Sequence, residues 1–154
     1  MREIKFRGKS TTSGKWVHGM LTTLKDLGAE MQDMIIIKKE GVFNEGSASP
    51  FFMKWDYIHK DTVGQFTGLK DKSGKEIYEG DIISVNGKYP KLIRYIDEWA
   101  SYCLANLTDL DCDLKTSYWQ QVSPCWWTDY KREIKVIGNV YDNPELLKGG
   151  SNEE

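Results

Sequence analysis

The chain has 154 residues, room for one domain or two small lobes, with 21 basic against 23 acidic side chains and a net charge of −2. Proteins that coat duplex nucleic acid through bulk charge are strongly basic, so that class is not expected here and only a local basic face would serve it. Six Trp, eight Tyr and five Phe suit strands and supply large buried areas, which points to a β-rich core.

Residues 2–7 alternate Glu3 and Lys5 with Ile4 and Phe6, the period of a half-buried strand. Thr11-Thr12-Ser13-Gly14-Lys15 reads as a turn and Trp16–Leu21 as the returning strand. Met34–Ile37 is a continuous β-branched run, expected as a central strand buried on both faces. It is far shorter than the roughly 20 residues that span a bilayer, and no apolar signal core precedes it. A soluble, intracellular chain with no membrane contact is therefore expected. Residues 41–50 collect Gly, Ser, Asn and Pro and read as a loop. Phe51-Phe52-Met53-Lys54-Trp55 and Tyr57 follow, an aromatic run that is a candidate contact surface.

Asp61–Val85 carries the densest turn chemistry. Asp71-Lys72-Ser73-Gly74-Lys75 reads as a tight turn, because Asp can bond backbone two residues on and Gly74 tolerates positive φ. Glu79-Gly80-Asp81 reads as a second turn. Asp81–Val85 is expected to turn at Asn86-Gly87, with Tyr89-Pro90 lengthening the loop before Lys91–Asp97 returns. Further strands are expected at Ser101–Asn106, Tyr118–Val122 and Ile134–Tyr141, with a short helix or bend at Cys125-Trp126-Trp127. Asn143-Pro144 signals one helical turn over Pro144–Leu147, and residues 149–154 read as a frayed, disordered tail.

Thr67-Gly68-Leu69-Lys70-Asp71-Lys72-Ser73-Gly74-Lys75-Glu76-Ile77-Tyr78-Glu79-Gly80-Asp81-Ile82 resembles the signature of the YopX-type family of phage and prophage proteins. The opening Met1–Arg7 and the close Ile137–Leu147 resemble the same family, so three collinear matches span the chain. The resemblance implies a phage or prophage origin, a host-cell cytoplasmic setting and a carboxy-terminal small barrel of SH3-like type. It brings no activity and no functional residues. The fold expected is mainly β, with an amino-terminal β lobe over 1–60 and the barrel region over 61–148.

Motifs for chemistry fail on spacing. Gly68 to Lys75 has five residues between its glycines where a phosphate-binding loop has four, and Glu76 stands where a hydroxyl would bind magnesium. Asp109, Asp111 and Asp113 match the start of a calcium loop, but Leu114 and Gln120 replace its Gly and bidentate Glu. His18 and His59 lie on different expected strands, and Cys103, Cys112 and Cys125 form no CxxC pair, so neither a metal site nor a disulfide frame is expected. Glu76, Glu79 and Asp81 are expected to cap turns and pair with Lys70, Lys72 and Lys75.

The best binding candidates are Lys88, Lys91 and Arg94 with Tyr89, Trp99, Trp119 and Trp126, a cationic and aromatic set on the barrel. With no catalytic motif and no cofactor implied, the expectation is a non-enzymatic binding or interaction module. A homo-oligomer is its expected form, with a protein partner open to it. A nucleic-acid-binding protein using that set is the first alternative, and a hydrolase with an unrecognised site the second.

Overall fold

In the computed structural model, which describes residues 3–23, 33–38, 53–107, 120–121 and 124–147, every described regular element longer than four residues is a strand. The mainly β fold read from the sequence is the fold observed. The chain divides into unit 1, Met1–Phe66, and unit 2, Thr67–Glu154. Among the described residues no helix is long and apolar enough to cross a membrane.

Unit 1 contains β1 (Phe6–Lys9), β2 (Trp16–Thr23), β3 (Asp33–Lys38) and β4 (Met53–Tyr57), and β5 (Gly64–Lys70) begins at its end. The strands lie in the order β4-β3-β2-β1-β5. These strands pair antiparallel, with Arg7 opposite His18, Met20 opposite Ile36, and Ile36 opposite Trp55. Ser10 bridges Ile58, the Thr11 N–H donates to the Tyr57 carbonyl at 2.8 Å, and the His59 N–H donates to the Lys9 carbonyl at 2.8 Å. The chain leaving β4 thus returns to β1, and the sheet curls towards a closed barrel. Closure removes exposed edges, the usual hazard of a small sheet.

The alternation at the amino terminus begins later than the sequence suggests. The strand starts at Phe6, Ile4 is exposed, and Gly8 lies inside the strand. The glycine there has a steric reason: a Cβ on Gly8 would stand 2.6 Å from the Ile58 side chain, so a bare backbone lets the two segments meet.

Unit 2 holds the rest of β5, then β6 (Glu76–Tyr78), β7 (Asp81–Val85), β8 (Lys88–Ile96), β9 (Ser101–Asn106), β10 (Gln120–Gln121), the one-turn helix α1 (Pro124–Trp127) and β11 (Ile134–Asn139). Five of these strands form one sheet in the order β10-β9-β8-β7-β11. Both its faces are covered. Ile83, Ile93, Leu104, Ile134 and Val136 pack with Ile77 on one cluster, while Ile82, Leu92, Ala105 and Leu107 form another beneath Val140, Leu146 and Leu147. The last two belong to a 3-10 turn over Pro144–Leu147, where the Asn-Pro signal predicted one helical turn.

The β7–β8 connection corrects one expectation. Asn86 and Gly87 take φ of 54° and 71°, as a two-residue primed turn requires, and β8 starts at once with Lys88. Tyr89-Pro90 does not lengthen the loop. Tyr89 adopts φ 51° beside a register shift between Ile83 and Val85, so a bulge accommodates a proline that has no N–H to give the ladder.

Met34–Ile37 falls within β3, whose side chains lie outside the described residues, as do residues 41–50 and 149–154. For Gly8→Ala we expect a loss of about 1–3 kcal/mol from overpacking against Ile58. Chemical denaturation of the purified variant measures it, and unchanged stability would show that Ile58 moves aside freely.

Candidate functional site

The predicted basic and aromatic set does not gather on one face. Lys88 and Tyr89 stand exposed just past the hairpin turn. Lys91 is half-buried and its ammonium donates to the Asn106 side-chain oxygen. Arg94 is exposed and lies opposite Cys103. Lys91 and Arg94 are three residues apart on β8, so the pleat sends them to opposite sides of the sheet. Tyr95 stays on the Lys91 side, edge-on to Tyr102 at 5.2 Å. Trp99 is exposed on the 3-10 turn Asp97–Trp99, and Trp119 lies outside the described residues.

Trp126 and Trp127 both pack against the Ile77 cluster, which an extended chain could not achieve and the α1 turn allows. The Arg132 guanidinium lies 4.9 Å over the Trp126 ring, donates to the Trp126 carbonyl at 2.8 Å and pairs with Asp129 at 3.2 Å. Trp126 is thereby a structural member of unit 2.

Cys103 is fully buried, and burial pushes its thiol above the ordinary range, partly offset by the Ser101 hydroxyl. A raised thiol is a poor nucleophile. His18 and His59 are exposed in unit 1, and among the described residues no three of His, Cys, Asp and Glu are grouped to hold a metal.

Among the described residues of unit 2, the Asp71 turn is densely hydrogen-bonded. Asp71 Oδ1 accepts from the Ser73 amide at 2.8 Å, the Ser73 hydroxyl at 2.6 Å and the Lys75 amide at 2.9 Å. Its Oδ2 accepts from the Val136 amide at 3.1 Å, reaching β11. The neighbouring Lys72 N–H donates to the Ile134 carbonyl at 3.0 Å. Gly74 takes φ 85°, which closes the turn. Burial alone would raise the Asp71 pKa, but the donors from Ser73, Val136 and Lys75 outweigh it and hold the carboxyl below its ordinary value of 3.8. Of the next acidic residues, Asp81 caps its turn by accepting from the Tyr78 amide at 2.8 Å, while Glu76, within β6, accepts from the Tyr78 hydroxyl at 2.7 Å.

Beside this turn runs an open cleft of about 250 Å³, whose walls include Lys70, Lys72, Trp127, Tyr130 and Arg132. Sequence reading did not assemble it, because its walls come from stretches about 60 residues apart. The Tyr130-Lys131-Arg132 run following two tryptophans was the one local signal available.

Unit 1 carries a second surface. There the Arg7 guanidinium, itself buried, lies 4.7 Å over Trp16, with the Lys9 ammonium at 5.8 Å. Met20 and Trp55 are each 57% exposed, and Tyr57 is exposed beside them. Met20, Ile36 and Trp55 are successive lateral partners, which places Met20 and Trp55 on one face about 10 Å apart, two strand spacings.

A family model described as YopX protein matches residues 5–148. The chain belongs to the YopX family. Among solved structures it is similar to protein EF1440 from Enterococcus faecalis, at 27% identity over 96% of this chain and 99% of that chain, with a TM-score of 0.49. Comparison with curated proteins finds no match. In this YopX protein the signature stretch is thus explained as architecture: its Asp71 fastens a turn to β11.

That fastening makes an acid-sensitive contribution. Because the folded pKa of Asp71 is depressed, its stabilisation is present above the unfolded value near 3.8 and is lost as pH falls through the lower folded value. Asp71→Asn turns an amide N–H₂ towards either Val136 or the Ser73 and Lys75 amides, leaving buried donors facing a donor. We expect a loss of about 1–3 kcal/mol at pH 7 and a shallower fall in stability below pH 4. Urea unfolding across pH tests both, and a variant with wild-type acid dependence would remove Asp71 as the source.

Proposed function

We propose that this YopX-family chain is a non-enzymatic accessory module that works by binding, and that it self-associates through the sheet face of unit 1 that carries Met20 and Trp55. The observation that carries the reading is the pair Met20 and Trp55, two large apolar side chains more than half exposed and aligned on one sheet face. Exposed apolar clusters of this kind mark contact surfaces. A two-fold axis between the two residues would set Met20 of each copy on Trp55 of the other, the reciprocal arrangement of an isologous dimer. A flexible thioether against an indole is a favourable partner pair.

The phage setting, the cytoplasmic location and the SH3-like type of the carboxy-terminal barrel belong to the same reading, and rest on the family. The nucleic-acid alternative at Lys88, Lys91 and Arg94 gains no comparable support, since the pleat divides Lys91 from Arg94.

Light scattering behind a sizing column should give a mass above that of one chain, rising with concentration. Trp55→Glu should lower it to a single chain, because removing an interface anchor costs about 2 kcal/mol or more, some thirtyfold in Kd. The side chain is exposed, so the thermal midpoint of a monomeric sample should change little. A wild-type protein that stays monomeric at every concentration would sink the proposal.

A further inference from the structure

We infer that the cleft beside the Asp71 turn is a binding site for the base and phosphate of a nucleotide. This site is independent of the unit 1 surface and shares no residue with the Lys88–Arg94 hairpin.

The charge balance of the cleft favours an anion. Both of its carboxylates are engaged: Asp71 by the amides of Ser73, Lys75 and Val136, and Asp129 by Arg132 at 3.2 Å and the Lys131 amide at 3.0 Å. Lys70 and Lys72 flank Asp71 with their side chains exposed, so the rim offers two ammonium groups while the negative charge is held within the protein. Ammonium groups on flexible stems are suited to phosphate as point charges.

Tyr130 supplies the second element. It is 82% exposed, the most exposed large hydrophobic residue described, and Lys131 sits 5.7 Å over its ring. A ring so placed contributes little to a core, and offers a π-face beside a cation where a base can stack. Size narrows the ligand further. About 250 Å³ falls below the roughly 300–1,000 Å³ of pockets that enclose drug-sized ligands, so the cleft suits a small group, with the remainder of the ligand at the open rim. The shared chemistry is a nucleotide, either free or as one unit of a single strand.

Fluorescence anisotropy with a labelled random single-stranded DNA 12-mer at low salt tests the site, with uridine monophosphate as competitor. Binding is expected, and Tyr130→Ala should weaken it about 5- to 150-fold, the equivalent of about 1–3 kcal/mol of stacking. Tyr130→Phe should keep most of the affinity. Reversing both Lys70 and Lys72 to Glu should lower the slope of log K against log salt by about 1.4. Competition by the mononucleotide at matched nucleotide concentration would assign the site to free nucleotides, and its failure to compete would assign it to the polymer. Absence of binding of either probe would overturn the inference. So would binding that ignores Tyr130→Ala and the lysine reversals but is lost in Lys88→Glu.

Discussion

One carboxylate does much of the organising in unit 2. Asp71 gathers three donors from its own turn and a fourth from Val136, 65 residues later in the chain. A side chain with two oxygens can close a local turn with one and hold a distant strand with the other. The Lys72 amide adds a bond to Ile134, so turn and strand meet at two points. Trp126 and Trp127 pack on the same cluster as Ile134 and Val136, which makes the position of β11 a condition for theirs. The cleft wall at Trp127 and Arg132 therefore rests on the same anchor.

Unit 1 solves a similar problem with a neutral group. Ser10 is fully buried, donates to Asp56 at 2.9 Å and accepts from the Thr12 and Ser13 amides at 3.2 and 3.0 Å. The same residue bridges Ile58, so a single hydroxyl stabilises the turn and the closure of the sheet. Gly8 complements it by keeping the strand thin where Ile58 passes. In both units a short polar residue next to a glycine-bearing segment brings together chain that is distant in sequence.

The sequence made the turns legible because turn chemistry is local. Asp71 with Gly74, and Asn86 with Gly87, announce their backbone angles through residue type alone. The family was legible because three collinear stretches carry it. The placement of Gly8 was not, since its reason is the distant Ile58. The separation of Lys91 from Arg94 was legible as well, because both lie in the expected strand Lys91–Asp97 and strand period alone divides residues three apart. The Lys70–Tyr130 cleft depends on the pairing of the Asp71 turn with β11, a long-range contact that no local pattern encodes.

Ile82 and Ile83 are adjacent on β7 and both have no exposed surface, one turned into each cluster. Sliding this strand by one residue would keep an isoleucine in one cluster but set Ser84 or Asp81 in the other, so the slip drives a polar group inward. The strand's ends reinforce that alignment. Asp81, bonded to the Tyr78 amide, fixes the start, and the Asn86-Gly87 turn with its bulge fixes the finish. The identity of the core and the address of each residue within it are thus specified by different parts of the chain.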